Sequence, residues 1–145
     1  SHAWHRPLLA RRASQYDPRV RSRIERGATM SASDYIDLLN ARQHWIVRME
    51  AALAPFDALL SPTVPLVAPP IADVAPGAER DAEFFRVNAL LLRNTSVVNM
   101  LDGCALSLPC HMAGELPVGL MVWHGALHDD AVLNVGLQIE QILQK

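Results

Sequence analysis

Five residues capable of chemistry fall within a short span of the chain. Cys104, Cys110, His111, His124 and His128 lie in or just beyond the run CALSLPCHMAGELPVGLMVWHG. A cysteine beside a histidine suggests a thiolate nucleophile with its base. Adjacent side chains on extended backbone point to opposite faces, however, so Cys110 and His111 are badly placed to share a proton. The same residues contain no C-x2-C pair, and His124 and His128 flank a glycine at the end of an apolar run rather than sharing a helical face. No metal site is therefore expected. A serine hydrolase would need a G-x-S-x-G elbow, which is missing. A serine–lysine dyad would have to use Lys145, the only lysine and the last residue. There is no glycine-rich phosphate loop. By its own residues the chain has no catalytic group, metal or cofactor to offer.

Other polar residues suit binding better than bond making. Asn88, Thr95 and Asn99 recur at spacings of seven and four in a stretch of helical periodicity, forming a narrow polar strip. Such a strip either hydrogen-bonds neighbouring loops or lines a cleft. Asn94 projects into the apolar face of the same helix, where an amide needs partners. Arg42 lies within another apolar stripe and calls for a carboxylate, a carbonyl, a snorkelling path or a bound anion.

The elements that would hold these residues can be read in order. The segment AWHRPLLARRAS reads as helix. Asp17 before Pro18 is an N-cap with proline at the first helical position, opening a helix that runs to Arg26 and ends at Gly27. Ser31 with Asp34 forms a variant capping box that starts the longest helix, ended by Pro55. Tyr35, Leu38, Leu39, Trp45, Ile46, Met49 and Leu53 supply its apolar stripe. Ala58–Leu60 has no polar alternation and predicts a strand covered on both faces, which the prolines of SPTVPLVAPP then end. A polar surface connection follows from Asp73 to Arg80. A helix runs from Asp81 to about Leu101 and closes at Gly103. Then come two short strands, ALSLP and PVGLMVW, and a last helix opened by Asp129 and Asp130. The prediction is α/β, with four or five helices flanking three short strands.

At 145 residues and 50% hydrophobic composition the chain can build a core. No apolar run is long enough to cross a bilayer, and two cysteines do not make a disulfide framework, so the expected setting is the cytoplasm with reduced thiols and no membrane partner. Residues 1–50 hold nine arginines against five acids, but these follow no aromatic series, and no nucleic-acid partner is expected. Three short apolar strands make too small a sheet to be enclosed without further strands. The chain thus reads as one partial domain over residues 1–145, helical over 1–55 and strand-and-helix over 56–145, prone to self-association.

Four segments in series resemble the C-terminal third of the amidase signature family: YDPRVRSRIERGATMSASDYIDLL, DALLSPTVPLVAPP, LRNTSVVNMLDGCALSLPC and GELPVGLMVWHGALHDDAVL. The resemblance implies the closing strands and outer helices of a large α/β/α domain around a mixed sheet. It also implies a hydrolase of carboxylic amide C–N bonds whose serine, cis-serine and lysine triad precedes the matched region. The substrate is then a small-molecule amide, and this portion supplies walls of its pocket. Under that resemblance Arg23 matches an arginine that holds the amino-acid end of glutamine in amidotransferase A subunits. Leu92 falls near where the aspartate that accompanies it there would lie, so the resemblance does not imply glutamine itself as substrate. Thr63, where the chain leaves the first strand, and Asn88, Thr95 and Asn99 are the expected pocket residues, with Arg93 suited to an anionic substrate. The alternative is a non-enzymatic docking or oligomerisation module.

Overall fold

The computed structural model describes residues 1–143, and Lys145 lies outside them. The chain divides into two compact units, residues 1–43 and residues 44 onward.

The first unit is helical. Helix α1 (His2–Arg12) leads through a 3-10 turn to α2 (Pro18–Glu25), which is followed by a second 3-10 turn over Arg26–Thr29. The Asp17 carboxylate accepts the backbone N–H groups of Arg19 and Val20 at 2.9 and 3.1 Å, which gives α2 the entry that Asp17 and Pro18 predict. His5 Nδ1 and the Tyr16 hydroxyl lie 2.9 Å apart. Helix α3 (Ala32–Leu53) begins in this unit. The Ser31 hydroxyl accepts the Asp34 N–H at 3.1 Å, and Asp34 Oδ2 accepts the Ser31 N–H at 2.9 Å, a reciprocal capping box with aspartate in the glutamate position. Arg42, in the apolar stripe, is half-buried and has a partner.

The second unit is a layered α/β structure. Strands β1 (Leu59–Pro62), β2 (Cys104–Pro109) and β3 (Gly119–His124) form an antiparallel sheet in the order β1-β3-β2. Between β1 and β2 come α4 (Ile71–Val74) and α5 (Asp81–Met100), and α6 (Asp129–Leu143) follows β3. The one α-helix that the sequence does not suggest is α4, a single turn that overlaps the start of the polar connection.

Alternation along the strands assigns the two faces. Leu59, Met121 and Trp123 face one way and join Ile46, Leu53, Val98 and Leu101 from α3 and the end of α5. Leu108 and Val122 face the other way and pack on Val132 of α6, with Leu106, Val135 and Ile139 around them. Only the central strand is covered on both sides, with Met121 through His124 all buried. The expectation of full cover fails for β1, where Leu60 is 56% exposed, because α6 lies against β2 and β3. The stripe on α3 is also buried in part only: Ile46 and Leu53 are core, whereas Tyr35, Leu38 and Leu39 are exposed.

Helix α5 ends in a Schellman motif. Gly103 N–H donates to the Val98 carbonyl at 3.0 Å, Asp102 N–H donates to that of Asn99 at 3.3 Å, and the left-handed residue is Asp102, at φ 54°. The sequence assigns that role to Gly103, but this glycine answers a different need. A side chain there would run into the His124 backbone carbonyl.

Candidate functional site

Two groups of polar side chains in the second unit lie at the two ends of β3. At its C-terminal end His124 is buried. Gly125 N–H donates to His124 Nδ1 at 2.7 Å, and Nε2 meets the Phe56 carbonyl at 3.2 Å, so the ring serves as acceptor on one nitrogen and donor on the other. The His128 ring lies 3.8 Å from it, centroid to centroid, and Cys104 Sγ donates to the Gly125 carbonyl at 3.4 Å. The two histidines border a hollow lined also by Glu50, Ala54, Phe56, Gly125 and Ala126. With both ring nitrogens engaged by backbone, His124 has no lone pair to act as a base. His124 and Cys104 thus serve the backbone at this end of the strand.

The hairpin joining β2 to β3 settles the place of Cys110 and His111. The Cys110 thiol donates to the Val118 carbonyl at 3.5 Å, and Val118 N–H donates to His111 Nδ1 at 3.4 Å. Both side chains thus bind the backbone across the loop. Gly114 supplies the turn with φ 88°. Cys104 and Cys110 are free thiols. Among the described residues no three His, Cys, Asp or Glu side chains converge as metal ligands.

At the N-terminal end of β3 a different set converges. Thr63 N–H donates to the Gly119 carbonyl at 2.8 Å, continuing the β1–β3 ladder one residue past the strand. The Thr63 hydroxyl lies 2.5 Å from that of Ser107 on β2. Asn94 Nδ2, on α5, donates to the Pro62 carbonyl at 2.7 Å, and Arg93 Nε donates to Asn94 Oδ1 at 3.3 Å. Asn94 therefore finds the partner its position demands, and the bond ties α5 to the exit of β1. Ser61, two residues before Thr63 on the same face, has a buried hydroxyl without a hydrogen-bond partner among the described residues.

Of the residues singled out in the sequence, the structure brings Thr63 and Arg93 to this corner. Asn88 and Thr95 are half-buried along α5, and Thr95 Oγ1 donates back to the Leu92 carbonyl at 3.4 Å. Asn99 is exposed. Arg23 is exposed on α2, in the first unit. Sequence reasoning misses Ser107 and Gly119. Alternation shows which face Ser107 takes, but no local signal reveals that a residue two strands away meets it.

Shifted titrations lie at helix entries rather than at this corner. Hydrogen bonds from Ser31 hold the Asp34 carboxyl below its usual range, and the hydrogen bond from Arg86 does the same for Glu83. Neither marks an acid–base centre.

A small antiparallel sheet between α3/α5 and α6, with hydroxyl and amide groups at one end of its central strand, places the second unit in the α/β class. The chain belongs to the amidase family, whose model matches residues 3–133. It is similar to a solved structure described as an amidase, with 28% identity and a TM-score of 0.75 over 97% of this chain. It is also similar to the allophanate hydrolase of Kluyveromyces lactis, with 28% identity and a TM-score of 0.71 over 89% of this chain. The chain spans 32% of the first of those structures and 20% of the second. No curated protein matches it. No described helix is long and apolar enough to cross a membrane.

Proposed function

We propose that this chain is the C-terminal portion of an amidase-signature hydrolase that cleaves small-molecule carboxylic amides in the cytoplasm. In this reading the serine, cis-serine and lysine that carry out the chemistry precede residue 1. The 145 residues complete the sheet and one wall of the substrate pocket. The observation that carries the reading is the family match over residues 3–133 in a chain spanning 32% of a solved amidase. Thr63 and Arg93 are the pocket residues at the hydroxyl corner, with Asn88, Thr95 and Asn99 as further contacts.

The test compares the purified 145-residue chain with the longer enzyme that contains it, on a series of primary amides. The short chain should give no turnover and the longer one should hydrolyse the amide. Turnover by the short chain that disappears in His111→Ala would overturn the reading and place the chemistry in the hairpin.

A docking or oligomerisation module is the second reading. It is favoured by the exposed Tyr35, Ile36, Leu38 and Leu39 on α3 and by the unpaired outer edges of β1 and β2. It predicts concentration-dependent association in sedimentation, with no amide turnover by any longer form.

A further inference from the structure

We propose that Ser107 is a positioning residue that orients the Thr63 hydroxyl, and that the pair they form over Gly119 recognises the substrate's carboxamide. The inference rests on the reading that Thr63 lines the substrate pocket.

Strands β1 and β2 are not neighbours, because β3 runs between them. Two strands apart is about 9–10 Å, too far for a threonine and a serine to meet over an intervening side chain. Gly119 removes that obstacle. A Cβ at this position would sit 2.6 Å from Ser107 Oγ and 2.7 Å from Thr63 Oγ1, so the two hydroxyls fill the space it would take. The Thr63 backbone bond to Gly119 fixes the register, leaving side-chain rotation to settle whether the hydroxyl or the methyl of Thr63 faces outward. Its bond to Ser107 makes that choice.

The pair has a definite hydrogen-bonding character. Each hydroxyl brings one donor and two acceptor lone pairs, and one donor is consumed between them. One O–H and free lone pairs remain. That set complements a primary carboxamide, which accepts through its carbonyl and donates through its N–H groups. A carboxylate can use only the donor, and an ammonium only the acceptors. Asn94 has one N–H on the Pro62 carbonyl and its own carbonyl on Arg93, so at this corner the hydroxyl pair is a group that can both donate and accept.

The experiment uses the longer enzyme with one primary amide as substrate and compares Thr63→Val, Ser107→Ala, Ser107→Thr and the Thr63→Val/Ser107→Ala double variant. Loss of one such hydrogen bond corresponds to a KM about 5-fold higher. Ser107→Ala should show that rise with kcat and melting temperature unchanged. Ser107→Thr, which keeps the hydroxyl, should restore the parent KM. The double variant should be no worse than Thr63→Val alone, because Ser107 acts through Thr63. If Thr63→Val raises KM and Ser107→Ala does not, the positioning role is overturned while the pocket reading stands. Additive effects in the double variant also overturn it. If neither variant changes KM, or the longer enzyme cleaves no amide, the pocket reading falls and this inference falls with it.

Discussion

The two ends of β3 handle polar groups in opposite ways. At the His124 end, both ring nitrogens and the Cys104 thiol are committed to backbone atoms, and the ring is buried. At the Gly119 end, two side-chain hydroxyls bond each other rather than the backbone. The histidine corner has the residues usually taken for chemistry, yet His124 and Cys104 spend their hydrogen bonds on backbone atoms. The hydroxyl corner looks unremarkable in the sequence and is the better candidate for a binding wall. A reactive residue type does not make a site; an unspent hydrogen-bonding capacity in an accessible place does.

That contrast can be broken most forcefully at His124. His124→Ala leaves the Gly125 N–H and the Phe56 carbonyl unpaired and opens a void, and should lower stability by about 3 kcal/mol in urea unfolding. A loss below about 0.5 kcal/mol would mean that this end is no more committed than an ordinary surface position.

A pair of glycine substitutions sharpens the comparison. Gly103→Ala drives a methyl group at the His124 backbone carbonyl, which cannot move without disturbing the ladder, and should cost about 2 kcal/mol. Gly119→Ala meets the two hydroxyls, which can rotate away, and comes within 3.2 Å of the Thr63 Cβ, and should cost about 1 kcal/mol. The reverse order in melting experiments would show that the hydroxyl corner is the rigid one.

The smallest effect separates the sheet from the helix entry. Ser31 hydrogen bonds lower the Asp34 carboxyl pKa in the folded chain, so their contribution is complete above the unfolded aspartate value of about 3.9. It fades as pH falls through the lower folded value. Acid titration followed by amide exchange should therefore loosen the start of α3 while the amides of β3 stay protected. Simultaneous loss of protection in both would tie the strand to the cap.

Much of this molecule is local enough to read from its sequence. Asp17–Pro18 and Ser31 with Asp34 each mark a helix entry, because the capping side chain and the backbone N–H it serves are two or three residues apart. The strands, the helices longer than one turn and the layered class follow from periodicity, and Asn94 was recognisable as an amide in need of a partner. Four short segments in order also carried the likeness to amidases, which the match over residues 3–133 bears out.

Tertiary structure decided what depends on distance across the sheet. The order β1-β3-β2 sets Thr63 and Ser107, 44 positions apart in the chain, on either side of a glycine. It likewise brings the His124 ring to the Phe56 carbonyl and sets Gly103 against the His124 backbone. It also left Leu60 open on β1. Strand pairing is a non-local choice, and hydrogen bonds between distant side chains exist only once that choice is made. The sequence by itself therefore determined which elements form and which family they belong to, and the packing of those elements determined which distant polar groups meet.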